Sequence, residues 1–226
     1  MAVVCLHYDG SSTEGEEIAV RGPEFIIGRS DGDVTIPHDD QISSRHVKLV
    51  RRLQNGRHTW IVQDLGSTNG TFALIEEGVL REGHELLLGS RRYRLEIAPQ
   101  STAAEGDMPA KEHGQTGTWQ SIASTSSSLP MPAPALVELK ADGEGDRFEI
   151  SGKETTIGTD DACDVVIEGD EFLSSRHARL WRDGRGRWLI KPIQALNGVW
   201  VRVGAIRLHR SGKFQIGEQR FSVRIP

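Results

Sequence analysis

The sequence predicts an all-β protein built as two antiparallel β-sandwiches joined by a flexible linker. Three observations carry this. The second half of the chain repeats the first. Short runs of β-branched and aromatic residues are bounded by turn dipeptides. No stretch of about eleven residues keeps a helical apolar period.

The duplication comes first, because a repeat of whole-domain length sets the architecture. Phe25-Ile26-Ile27-Gly28 recurs as Thr155-Thr156-Ile157-Gly158, and Ile42-Ser43-Ser44-Arg45-His46 recurs as Leu173-Ser174-Ser175-Arg176-His177. Trp60-Ile61-Val62 returns as Trp188-Leu189-Ile190, Asn69-Gly70 as Asn197-Gly198, and Leu88-Gly89 as Ile216-Gly217. The order is unchanged and the offset is about 130 residues, far longer than a solenoid unit.

Strand signals fill each copy. Arg57 to Gln63 and Arg187 to Lys191 are rich in strand-forming side chains, and Asn55-Gly56, Asn69-Gly70, Asp183-Gly184 and Asn197-Gly198 mark turns. Many short strands in units of roughly 95 residues indicate sandwiches whose function sits on the loops at one end. The expected boundaries are 1–98 and 135–226 for the sandwiches. Between them, 99–134 is a Ser/Thr/Pro/Ala-rich stretch that buries too little apolar surface to offset the entropy of ordering. Unfolded, such a linker spans about 30–35 Å, so the two sandwiches need not touch. Trp119 and Ile122 are its apolar exceptions.

Composition narrows the function classes. A net charge of −5 and a pI of 5.9 argue against a nucleic-acid partner, although local arginines still permit an anionic ligand. A mean hydropathy of −0.40 and the absence of a long apolar run argue against membrane insertion. The first residues show no secretory signal, and Cys5 and Cys163 read as free thiols in a reducing compartment, which together give a cytoplasmic expectation.

Three loop clusters of the first copy carry chemistry: Gly28-Arg29-Ser30, Ser43-Ser44-Arg45-His46, and Gly66-Ser67-Thr68-Asn69-Gly70-Thr71. A guanidinium fork, several hydroxyls, an amide and glycines that admit close backbone approach suit a phosphate ester. No His, Cys or carboxylate cluster suits a metal, and nothing calls for a cofactor. Ser43, His46 and Asp64 make a hydrolase triad only on paper, since no nucleophile elbow accompanies them, so no enzyme is expected.

Gly28-Arg29, Ser43-x-x-His46 and Asn69-Gly70, set in Asp64-Leu65-Gly66-Ser67-Thr68-Asn69-Gly70-Thr71-Phe72, resemble the signature of forkhead-associated (FHA) domains. The resemblance covers about 1–98 and, more weakly, 135–226. It implies an eleven-stranded sandwich in each copy and a tandem phosphothreonine-binding adaptor of bacterial type. Carried over by position, Arg29, Ser43, Ser44 and Thr68 would hold the phosphate and Asn69 the peptide backbone. His46 would brace the loops, and Gly28 and Gly70 would shape the turns. The implied partner is a phosphothreonine-containing protein, a Ser/Thr kinase or its substrate.

The second copy departs from this pattern. Thr159 stands where Arg29 stands and Leu196 where Thr68 stands, while Ser174, Ser175, His177 and Asn197 persist. Losing a two-pronged arginine contact costs about tenfold to a hundredfold in affinity or more, and Asp160, Asp161 and Asp164 would repel a dianion. The second copy is therefore expected to fold without binding phosphothreonine. Its task stays open between phosphate-independent contact and homodimerisation, and an exposed Trp181 or Trp200 would favour contact. Two other readings stand beside the adaptor. In one, a phosphorylated linker threonine (Thr102, Thr116, Thr118 or Thr125) occupies the first pocket. In the other, the protein is purely structural.

Overall fold

The structure, a computed structural model, describes residues 2–7, 15–54, 56–97, 133–208 and 210–225. Trp119, Ile122 and the four linker threonines lie outside the described residues. Every regular element described is a strand, ten in each repeat. The first repeat contributes β1 (Ala2–His7), β2 (Gly15–Val20), β3 (Glu24–Gly28), β4 (Val34–Thr35), β5 (Val47–Gln54), β6 (Arg57–Asp64), β7 (Thr71–Ile75), β8 (Gly78–Leu80), β9 (Glu85–Leu88) and β10 (Arg91–Glu96). The second contributes β11 (Ala135–Lys140), β12 (Gly143–Glu149), β13 (Glu154–Gly158), β14 (Val165–Val166), β15 (Ala178–Arg182), β16 (Trp188–Pro192), β17 (Val199–Val203), β18 (Ala205–Leu208), β19 (Ser211–Ile216) and β20 (Gln219–Arg224).

Period-two alternation fixes which face of each strand is inside. Tyr93 and Leu95 of β10 are buried while Arg92, Arg94 and Glu96 face away, and Phe221 and Val223 of β20 follow the same rule. The strands form one ten-stranded sheet, ordered β12-β11-β10-β9-β17-β7-β19-β20-β1-β2, and two five-stranded sheets, β14-β13-β15-β16-β8 and β18-β6-β5-β3-β4. The long order reads the same from either edge once each strand is replaced by its repeat counterpart.

This order corrects the expected boundaries: the two compact bodies are not the two halves of the sequence. Module A joins β1–β7 to β18–β20, and its core packs Ile27, Leu49 and Trp60 against Phe214, Ile216 and Phe221. Module B joins β8–β10 to β11–β17, and its core packs Leu86, Leu88 and Tyr93 against Leu136, Ile157 and Ile190. The repeats have exchanged their last three strands, and module B sits as an insertion between β7 and β18 of module A.

Connection length explains the exchange. A tight hairpin wants two turn residues, at best Asn-Gly with both φ positive. Between β7 and β8 stand Glu76 and Glu77, and between β17 and β18 only Gly204. Neither suits a reversal, so each chain runs on into the other module, and short connections of this kind favour swapping. Core burial cannot choose between partners, because Leu86, Leu88, Tyr93 and Leu95 repeat the pattern of Phe214, Ile216, Phe221 and Val223. The junction can. There β7 and β17 pair antiparallel from Thr71↔Val203 to Ile75↔Val199. Phe72, Leu87 and Trp200 form a small apolar cluster, and Arg202 Nη1 donates to Glu85 Oε1 at 2.6 Å.

The linker is corrected with it. Glu96 at the end of β10 pairs directly with Ala135 at the start of β11. The 98–132 segment therefore joins two neighbouring strands of module B rather than tethering one body to another. The modules meet across the shared sheet.

Candidate functional site

At one end of module A, three loops meet: 29–33 after β3, 36–46 before β5, and 65–70 between β6 and β7. The first two zip together because Gly28 has no side chain. A Cβ there would lie 2.0 Å from the Ser44 carbonyl oxygen. With that space empty, Arg29 N donates to Ser43 O at 2.9 Å and Asp31 N to Ser44 O at 3.0 Å.

The buried His46 ties these loops to the third. Its Nδ1 accepts from Ser43 N and its Nε2 bonds the Gly70 carbonyl oxygen, each at 3.1 Å. That pairing requires a neutral ring with its proton on Nε2. Burial lowers the His46 pKa, against the opposing pull of the Gly70 hydrogen bond. Gly70 adopts φ +84°, and a Cβ there would strike the Arg202 guanidinium at 2.3 Å. So a residue of the second repeat packs on the turn of the first repeat's site.

Asp64, which opens the family-like segment Asp64 to Phe72 but was given no role of its own beyond the rejected triad, is the organiser of the third loop. Its carboxylate accepts from Gly66 N and Ser67 N at 2.9 Å and from the Ser67 and Thr71 hydroxyls at 2.6 Å. Burial alone would raise its pKa, but the Ser67 and Thr71 hydrogen bonds outweigh it and hold the group below the ordinary carboxylate value.

On this frame the five expected phosphopeptide residues come together on adjoining loops. Ser43 Oγ accepts from Thr68 N at 3.1 Å, which leaves its own proton free for an incoming acceptor. Ser44 Oγ shares a 2.7 Å hydrogen bond with Ser30 Oγ, a hydroxyl the sequence reading had not assigned. Asn69 Nδ2 donates to Gln41 O at 2.9 Å. Among the described residues the Arg29 side chain, 42% exposed, has one ion-pair partner, Asp40, itself 95% exposed, at 3.4 Å. An open pair of that kind contributes about 0–1 kcal/mol and yields readily to a stronger anion.

Module B repeats the frame. A Cβ on Gly158 would lie 2.0 Å from Ser175 O. His177 accepts from Ser174 N at 3.1 Å and bonds Gly198 O at 3.0 Å, and burial lowers its pKa as well. Ser174 Oγ accepts from Leu196 N at 3.1 Å, and Asn197 Nδ2 donates to Phe172 O at 3.0 Å. Thr159 N reaches Ser174 O at 3.3 Å, as Arg29 N reaches Ser43 O, but no guanidinium follows. Leu196 is 95% exposed and Phe172 54%. Asp164 is committed elsewhere, accepting from Thr156 N and Thr156 Oγ1 at 2.7 Å. Those bonds favour its charged form and hold its pKa below the ordinary carboxylate value. Trp200 is buried at the junction and Trp181 is half-buried beneath Arg179 and Lys191.

The FHA domain pattern matches residues 25–89 and 155–217, more than half of the chain. The chain belongs to the FHA family. Both matched segments contain the Gly–Ser/Ser–His–Asn-Gly frame, so each module is an FHA module. The FHA domain-containing protein FhaB of Mycolicibacterium smegmatis is 40% identical over 58 residues, and FhaB of Mycobacterium tuberculosis gives the same figures. The match takes in 26% of this chain and 35% of each relative, so it spans about a third of their length. Among solved structures, full-length yeast Pml1p is similar at 21% identity and a TM-score of 0.28, over 38% of this chain and 69% of that one. Mycobacterium tuberculosis EmbR in complex with a low-affinity phosphopeptide is similar at 22% identity and a TM-score of 0.24, over 38% of this chain and 26% of that one. A chain described under phosphothreonine-dependent FHA domain interactions is similar at 18% identity and a TM-score of 0.23, over 41% of this chain and 97% of that one. Among the described residues no group of three or more His, Cys, Asp or Glu is placed to hold a metal, and no helix is long and apolar enough to cross a membrane.

Proposed function

We propose that module A binds a phosphothreonine segment of a partner protein as a non-enzymatic adaptor in Ser/Thr kinase signalling. Arg29, Ser43, Ser44 and Thr68 meet the phosphate and Asn69 meets the peptide backbone. The observation that carries this is the lock on three loops by His46 and Gly28, which presents the weakly paired Arg29 guanidinium beside hydroxyls with free donors. The phosphopeptide and phosphothreonine named for EmbR and for the third structure support the same chemistry. Near pH 7 a phosphothreonine carries close to two negative charges, which the Arg29 fork can meet with paired hydrogen bonds. Module B keeps the frame without the arginine and is left with phosphate-independent contact or dimerisation, for which the exposed Leu196 and Phe172 offer apolar surface.

Calorimetric titration of the full chain with phosphothreonine peptides tests the assignment. Arg29→Ala should weaken binding about tenfold to a hundredfold or more while the melting temperature holds. An Arg29→Ala chain that bound as tightly as its parent would overturn the site.

A second reading, occupation of module A by a phosphorylated threonine of 98–132, is favoured by one observation. The segment leaves from Glu96 and returns at Ala135, and the order β10-β9-β17-β7 sets β10 three strands from β7, which begins right after Gly70. Three strand spacings separate them, roughly 15 Å. Phosphorylated chain that still bound free phosphopeptide at full affinity would dismiss it.

A further inference from the structure

Strand alternation sends Phe72, Leu87, Arg92, Gln215 and Arg220 to the outer face of the ten-stranded sheet, away from both cores. There they line a cavity of 670 Å³ that reaches Gln41 and Asn69 of module A at one side and Phe172 and Asn197 of module B at the other. The exchange builds this groove, since Leu87 and Arg92 belong to the first repeat and Gln215 and Arg220 to the second.

Two arginines mark what the groove is suited to hold. Arg92 and Arg220 occupy equivalent positions, each the third residue after the turn glycines Gly89 and Gly217. Other arginines of the same sheet have carboxylates: Arg94 pairs with Glu96, Arg202 with Glu85 and Arg224 with Glu17. Arg220 has none among the described residues. It is half-buried over the Trp200 ring at 5.5 Å and donates only to neutral oxygens, Gln215 Oε1 at 3.2 Å and Asn197 Oδ1 at 3.5 Å. Burial lowers its pKa with no acidic neighbour to offset the cost. Arg92 has neither ion pair nor side-chain hydrogen bond among the described residues. The one carboxylate on the rim, Glu218, accepts from Gln41 Nε2 at 3.3 Å. In a chain with 32 acidic against 27 basic residues, two unneutralised guanidinium groups facing one cavity are a deliberate charge.

We propose that this groove receives carboxylate side chains flanking the phosphothreonine, with Arg92 and Arg220 as their counter-charges. The protein then reads phosphothreonine in an acidic context. The inference rests on the phosphothreonine reading of module A and extends it, because Gln41 and Asn69 border both the phosphate loops and the groove.

The test uses the full chain and three phosphothreonine peptides at physiological salt: one flanked by alanine and glycine, one with glutamates following the phosphothreonine, one with glutamates preceding it. An unphosphorylated acidic peptide is the control. One acidic phosphopeptide should bind about tenfold tighter than the neutral one, as expected for charge-assisted bonds to a part-buried arginine. That ratio should fall toward one in Arg92→Gln and in Arg220→Gln, and Arg220→Lys, which keeps the charge, should retain part of it. Arg92 is a separate surface position, so its variant reads the ratio even if Arg220→Gln proves unstable. Neutral phosphopeptide that bound as tightly as both acidic ones, or an acidic gain that survived in Arg92→Gln and Arg220→Lys unchanged alongside Arg220→Gln, would overturn the groove alone. No binding by any phosphopeptide would overturn the groove together with the phosphothreonine reading.

Discussion

His46 spans Ser43 N and Gly70 O at 3.1 Å, and His177 spans Ser174 N and Gly198 O at 3.1 and 3.0 Å. The two apical frames match bond for bond, yet Arg29 faces Thr159 across the comparison and Thr68 faces Leu196. The difference shows which part of such a site stability protects. The frame consists of buried groups, and a lost hydrogen bond there leaves a partner unsatisfied at a cost of about 1–3 kcal/mol. The proposed contact residues that differ, Arg29 against Thr159 and Thr68 against Leu196, lie at the surface, where substitutions usually cost within about 0.5 kcal/mol, so the proposed chemistry can be lost while the fold stays.

A second contrast lies in the third loop. Asp64 gathers four hydrogen bonds in module A. Its counterpart in module B is Pro192, which can accept none of them through a side chain. The loop carrying Thr68 and Asn69 is thus fastened to its own strand end, and the loop carrying Leu196 is not.

The largest expected effect removes the shared frame. Gly28→Ala and Gly158→Ala each drive a methyl into a carbonyl oxygen, and each should destabilise its own module by about 3 kcal/mol or more in urea unfolding. Unequal losses would show that the frames are not equivalent. Next, Thr159→Arg with Leu196→Thr should give module B measurable phosphate-dependent binding when module A is silenced by Arg29→Ala. No gain would mean that Asp160 and Asp161 or the loop itself, rather than the missing arginine, disables module B. Asp64→Asn should cost about 1–3 kcal/mol of stability and loosen phosphopeptide binding, a change that has no counterpart in module B.

The smallest effect is in pH. His46 and His177 both have folded pKa values below 6.5, so the unfolded chain takes up their protons first. Stability they supply is present above 6.5 and is lost as pH falls from there toward the lowered values. Asp64, held below 3.8, adds a loss to module A as pH falls under 3.8, and Glu96, Asp164 and Asp183, also lowered, add theirs to module B. Thermal melts from pH 8 to pH 3 should show one shared decline and then a further one made smaller by Asp64→Asn. A second decline left at full size in Asp64→Asn would contradict the role given to that carboxylate.

Most of the candidate site's frame was legible because its parts are local. Gly28-Arg29, Ser43 to His46 and Asn69-Gly70 are short runs whose residue types announce a close approach, a brace and a turn. Less legible were Asp64 and Ser30, since an aspartate at a strand end and a serine in a loop are ordinary in any turn. Arg202 was beyond reach, because its place over Gly70 depends on the pairing of β7 with β17. The stretch from Pro99 to Pro134 reads as a tether by composition, and composition says nothing about where its ends are held. The β10–β11 pairing put them side by side.

The sequence by itself determined that there are two sandwiches, where each site's loops lie, and which copy lacks the arginine. These follow from alternation, turn residues and motifs, all of which act within a few residues of one another. Which hairpin completes which sandwich was decided only in the tertiary structure. Leu86 to Leu95 and Phe214 to Val223 present interchangeable apolar faces, so either core accepts either hairpin with similar burial. The choice falls to two short connections that do not reverse and to the contacts of Phe72, Trp200, Glu85 and Arg202 at the junction.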